Sequence, residues 1–106
     1  MKALIVDDDF YCRNMLHEIL RPHARCDIAV NGEEAIYAFE QALKSGKPYT
    51  LICLDLVMPE MDGQRALREI RAMEREAGVH PTCESKVIVT TMLDDDKETH
   101  DAFYLG

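Results

Sequence analysis

Three short apolar stretches of this chain each run into side chains that carry reactive oxygens. Ala3-Leu-Ile-Val6 is followed by Asp7 and Asp8, Leu51-Ile-Cys-Leu54 by Asp55, and Val87-Ile-Val-Thr90 ends on the hydroxyls of Thr90 and Thr91. Carboxylates held close together raise one another's pKa and resist full ionisation unless a cation joins them. A hard, oxygen-seeking ion such as Mg²⁺ resolves that conflict. A carboxylate beside Mg²⁺ can then act as a phosphoryl acceptor and form an aspartyl phosphate, with a neighbouring hydroxyl donating to one phosphoryl oxygen. The plainer reading of the same residues is structural: Asp7, Asp8 and Asp9 would cap a helix and Asp55 would begin a turn. Acidic or hydroxyl groups at three strand ends together favour the chemical reading.

For these groups to meet, the apolar stretches must be adjacent strands. Near-continuous runs such as Ala3–Val6, Leu51–Leu54 and Val87–Thr90 are the pattern of parallel strands covered on both faces, and Cys26-Asp-Ile-Ala-Val30 makes a fourth strand. Segments of helical period alternate with them. The first has a stripe of Cys12, Met15, Leu16, Ile19 and Leu20 and is ended by Pro22. The second, from Gly32 to Lys44, has Ala35, Ile36, Phe39, Ala42 and Leu43, with Ser45-Gly46 as its stop. The third has Ala66, Leu67, Ile70 and Met73 and stops near Gly78. A fourth is expected to open at Asp94–Asp96, where carboxylates suit a helix N-terminus, and to run to the end of the chain. The order βαβαβαβα implies a doubly wound α/β fold, with a parallel sheet between two helical layers. In such a sheet ligands bind beyond the C-terminal strand ends, where the acids and hydroxyls lie.

Composition narrows the function classes. A chain of 106 residues is one domain, here residues 1–106, and 47% hydrophobic with 30% charged residues is a globular composition. Twelve Lys and Arg against twenty Asp and Glu give a formal charge of −8, which argues against a nucleic-acid surface and against an anionic membrane. No apolar run reaches a membrane span of about 20 residues. The first strand begins almost at Met1, which leaves no room for a signal peptide, so a cytoplasmic protein is expected. Cys12, Cys26, Cys53 and Cys83 do not form a disulfide scaffold. The pairs His23/Cys26 and His80/Cys83 could be halves of a zinc site, but neither is Cys-x-x-Cys, and buried or idle cysteines fit better.

Leu4-Ile-Val-Asp-Asp-Asp9, Val30-Asn-Gly-Glu-Glu-Ala35, Asp55-Leu-Val-Met-Pro-Glu-Met-Asp-Gly63 and Val87-Ile-Val-Thr-Thr91 together resemble the response-regulator receiver family of two-component phosphorelays. The resemblance covers nearly the whole chain. It implies a flavodoxin-like fold of strand order 2-1-3-4-5. It also implies a non-enzymatic phosphoprotein that takes a phosphoryl group from a histidine kinase or phosphotransfer protein onto Asp55, with Mg²⁺, and changes conformation to signal. Asp8 would bind Mg²⁺ directly, Asp7 directly or through water, and Asp55 and the backbone carbonyl of Val57 would complete the protein ligands. Thr91 would be the switch hydroxyl, and Pro59 and Gly63 would shape the loop into the third helix. Two features depart from the family pattern. Met92 stands where a small residue is usual, and the sequence ends at Phe103-Tyr-Leu-Gly106, before the fifth strand with its Lys-Pro and the fifth helix. A (βα)4 chain without that unit would leave the fourth strand's edge open and invite self-association by edge pairing or helix exchange. The alternative function is a degenerate or truncated receiver that serves only as a protein–protein interaction module. A flavin-binding protein would need a loop rich in hydroxyls and glycines after the first strand, where three aspartates stand. An Asp-nucleophile phosphatase would need a second carboxylate at Val57.

Overall fold

The computed structural model describes residues 1–55, 63–89 and the strand Phe103–Tyr104. The elements in chain order are β1 (Lys2–Val6), α1 (Phe10–Leu20), β2 (Arg25–Ala29), α2 (Gly32–Lys44), β3 (Leu51–Leu54), α3 (Gly63–Glu76), a short 3₁₀ turn at Pro81–Cys83, β4 (Lys86–Val89) and β5 (Phe103–Tyr104). They build one sheet in the order β2-β1-β3-β4-β5. β1 to β4 are parallel, and their register sets Val6 beside both Ala29 and Leu54, and Leu54 beside Val89. The doubly wound parallel architecture expected from the alternating runs is therefore present.

Period-two alternation divides β1 between two cores. Leu4 and Val6 join Ile52, Leu54 and Val87 against Ala35, Phe39 and Ala42 of α2 and Ile70 of α3. Ala3 and Ile5 point to the other face, which α1 covers, and all four β1 residues are fully buried. The helix limits follow from local chemistry. Asp9 caps α1 by accepting from the amides of Tyr11 (2.8 Å) and Cys12 (3.4 Å). Asn31 caps α2 through the Glu34 amide (2.8 Å), while the Glu34 carboxylate reaches back to the Val30 amide (2.9 Å). The α2 stop needs Gly46, whose φ of 76° lets its own amide and that of Lys47 bond back to Leu43 and Ala42.

Several expectations need correction. β2 begins and ends one residue earlier than its apolar run, and β4 begins one residue earlier, at Lys86, while Thr90 lies outside the described residues. Backbone amides define a ladder whatever the side chain, and Arg25 donates to Met1 and Lys86 to Thr50, each at 2.9 Å. The fourth helix does not run to the end of the chain: Phe103–Tyr104 is a strand, antiparallel to β4, pairing Val89 with Phe103 and Ile88 with Tyr104. Two adjacent aromatics suit a strand, and their pairing covers Ile88 and Val89 of the edge that was expected to stand open from Val87 to Thr90. The Asp94–Asp96 helix start lies outside the described residues. The α1 stripe is only partly inside: Cys12 is buried and Leu16 and Leu20 half-buried, whereas Met15 (51%) and Ile19 (59%) are exposed.

Candidate metal and phosphoryl site

Parallel register carries the acids to one place. The Asp7 amide donates to the Ala29 carbonyl (3.1 Å) and the Asp55 amide to the Val6 carbonyl (2.9 Å), so the ladder extends one step past β1 on both sides and ends on the carboxylates. One oxygen from each of Asp7, Asp8 and Asp55 lies within 4.8 Å of the other two. Among the described residues this is the only group of three or more His, Cys, Asp or Glu side chains that could hold a metal ion. The two His/Cys pairs do not form such a group, and His80 instead uses Nδ1 on the Thr82 hydroxyl (2.8 Å) and amide (3.2 Å).

The three carboxylates differ in environment. Asp7 is 1% exposed and Asp55 6%, while Asp8 is open to solvent. Asp7 Oδ1 accepts the Asp9 amide at 2.9 Å, but its Oδ2 is buried with no hydrogen-bond partner. Burial raises the Asp7 pKa above the ordinary 3.8, the Asp9 amide opposes that, the charges of Asp8 and Asp9 add to it, and Arg13 works against it. The buried Cys12 thiol feels the same acids: it is pushed up to about 11, by burial first and then by the charges of Asp7 and Asp9, so it stays neutral.

This arrangement suits a hard dication. An unpaired oxygen on a buried carboxylate is costly, and a cation removes the cost. Mg²⁺ takes oxygen donors of this kind, and Asp7, Asp8 and Asp55 would be the side chains to hold it. Soft metals are disfavoured, since the donors are all oxygen.

The structure therefore brings together three of the five residues expected at the site. Val57 and Thr91 lie outside the described residues, as do Pro59 and Met92; Gly63 is buried as the first residue of α3. Two further residues contribute. Asp9 caps the helix with its carboxylate, as the plainer reading of the acidic run had it, and holds Asp7 with its amide, which the sequence did not indicate. Arg13 donates from its guanidinium to the Asp7 carbonyl at 3.1 Å. Their signal is positional: Asp9 directly precedes a helix, and Arg13 lies one turn further on.

Known proteins share this framework. The chain is 41% identical over 75 residues to a protein-glutamate methylesterase/protein-glutamine glutaminase of Vibrio parahaemolyticus; the match takes in 68% of this chain and 19% of that relative. In structure it resembles the receiver domain of the histidine kinase CKI1 from Arabidopsis thaliana complexed with Mg²⁺ and BeF₃⁻ (TM-score 0.74, 29% identity, 93% of this chain and 71% of the other). It also resembles the co-crystal structure of the Saccharomyces cerevisiae phosphotransfer protein Ypd1 with the receiver domain of the response regulator Ssk1 (TM-score 0.71, 26% identity, 92% and 68%). Among the described residues no helix is long and apolar enough to cross a membrane. The response regulator receiver domain model matches residues 3–106, nearly every position that builds the sheet and the acid cluster, and the chain belongs to that family of two-component receivers.

Proposed function

We propose that this receiver accepts a phosphoryl group on Asp55 from the phosphohistidine of a kinase or phosphotransfer protein, in a Mg²⁺-dependent reaction, and relays the signal by a change of conformation. The observation that carries the reading is the acid cluster at the C-terminal end of the sheet, one oxygen from each of Asp7, Asp8 and Asp55 within 4.8 Å of the others, with Asp7 Oδ2 buried and unpartnered. Asp7, Asp8 and Asp55 would hold Mg²⁺, joined by the Val57 carbonyl, and Thr91 would contact the phosphoryl group. When bound, the ion would neutralise charge on the transferring group. The chain's own residues do the rest. The amide of Asp55 is tied to Val6, which fixes the acceptor at the end of β3. A carboxylate oxygen of Asp55 attacks phosphorus, the phosphorus–nitrogen bond of the donor breaks, and its electron pair stays with the imidazole.

The test is intact-mass measurement after incubation with acetyl phosphate, with and without Mg²⁺. One phosphoryl group is expected with Mg²⁺, none in EDTA, and none in Asp55→Asn. Equal labelling of the Asn variant, or full labelling in EDTA, would overturn the assignment. A chain that binds Mg²⁺ but takes no label from any donor would act as an interaction module.

A further inference from the structure

We infer that Arg13 is a positioning residue for the acid cluster, setting the peptide plane between Asp7 and Asp8 so that both carboxylates face one cation. This rests on the Mg²⁺ reading above. Asp7 is held at three points by groups from three parts of the fold. Its amide donates to Ala29 of β2, its Oδ1 accepts from the amide of Asp9, and its carbonyl accepts from Arg13 Nη1 at 3.1 Å. The first bond fixes the peptide before Asp7. The third fixes the peptide after it, the unit that connects the buried acid to the exposed one. Rotation of that plane would swing Asp8 relative to Asp7, because no ladder bond holds Asp8 among the described hydrogen bonds.

The anchoring of Arg13 supports a positional role. Its own amide bonds to the Asp9 carbonyl (3.0 Å) in the first turn of α1, so the base of the side chain is fixed. Its guanidinium lies 5.8 Å from the centroid of the Phe10 ring, which limits the head as well. Among the ion pairs of the described residues, none joins Arg13 to a carboxylate. The cation thus acts on Asp7 through space but bonds to its carbonyl, and takes none of its carboxylate oxygens. An arginine serving as counter-ion would take one of those oxygens in a fork geometry. Groups that orient metal ligands typically change affinity by ~10–100-fold when removed.

Two roles for Arg13 predict opposite signs, and direct Mg²⁺ titration by calorimetry on the whole chain separates them. If Arg13 positions the ligands, Arg13→Met weakens Mg²⁺ binding by about tenfold or more, and Arg13→Lys and Arg13→Gln, which keep a donor for the carbonyl, recover most of the loss. If it acts only through charge, Met and Gln both tighten binding, since a repelling cation has gone. Tighter or unchanged binding in Arg13→Met overturns the inference while leaving the metal site standing. Absence of Mg²⁺ binding by the parent chain takes down the site and the inference together. Circular dichroism melts without Mg²⁺ exclude unfolding as the cause: a Met variant that melts with the parent yet binds weakly supports positioning. One whose binding loss is matched by loss of the folded fraction overturns it.

Discussion

The two ends of the sheet each bury a carboxylate and treat it in opposite ways. At the N-terminal end Glu74 of α3 is 2% exposed, and every demand of its charge is met inside the protein. Oε1 pairs with Arg71 at 2.6 Å and Oε2 accepts the Ser85 amide at 2.8 Å, while the Ser85 hydroxyl donates to the Tyr49 carbonyl. At the C-terminal end Asp7 is equally buried, with one oxygen bonded and the other bare. A buried charge that is paired and hydrogen-bonded belongs to the architecture, whereas one left half-satisfied points to a ligand from outside. Each end keeps one bare buried polar atom, Arg71 Nη2 beside Glu74 and Oδ2 of Asp7 itself, but only at the C-terminal end does it belong to a cluster of carboxylates.

Glu74→Ala is the hardest test of the N-terminal end. It leaves the Arg71 guanidinium with only Glu84 at 3.8 Å and strands the Ser85 amide, and breaking a buried pair by removing one partner typically destabilises by ~3–5 kcal/mol. A urea midpoint close to that of the parent would show that water replaces the carboxylate and that the two ends are alike. Asp7→Asn tests the C-terminal end and carries the opposite sign. Removing an uncompensated charge should stabilise the metal-free chain by about 1–3 kcal/mol, seen as a higher Tm, while Mg²⁺ binding weakens.

The pH dependence follows from the same raised pKa. The native state keeps the Asp7 proton at pH values where the unfolded chain, near 3.8, has released it. Stability of the metal-free parent therefore falls as pH rises from the unfolded pKa through the folded one, and the Asn variant lacks that fall. A destabilised Asn variant would mean that the Asp7 charge is already compensated. The smallest effect is expected at Asp9, whose carboxylate serves the helix. Asp9→Ala should lower stability by about 1 kcal/mol through loss of the cap, since its backbone amide still reaches Asp7. Loss of Mg²⁺ binding in that variant, with the fold intact, would place all three aspartates in the site.

The C-terminal end was more legible in the sequence than the N-terminal one, and the reason is chemical. Asp7, Asp8 and Asp55 each follow an apolar run at the step where a parallel strand ends, so strand periodicity alone converges them. Glu74 sits among Arg68, Glu69, Arg71, Arg75 and Glu76 on a charged helix, and nothing in that run marks one carboxylate as buried. Its role depends on Ser85, eleven residues on, arriving beside α3 through the loop before β4. Arg13 was hidden for a related reason: a guanidinium that bonds to a main-chain carbonyl leaves no pattern of paired charges. At the far end, Phe103 and Tyr104 were absorbed into a helix read forward from acidic residues, although their aromatic rings favour the strand they form.

The place of β1 between β2 and β3 has a kinetic consequence. β1 meets β2 after one helical crossover but meets β3 only after two, so the contact that brings Asp55 to Asp7 closes the longer of the two loops. The β1–β2 unit can form with Asp7 in place while Asp55 is still distant. The acid cluster is then completed by the docking of β3: Asp8 and Asp9 already act on Asp7 through the local chain, and Asp55 joins them only at that moment. Protection of the Asp55 amide against hydrogen exchange, through its bond to Val6, would date the event within folding.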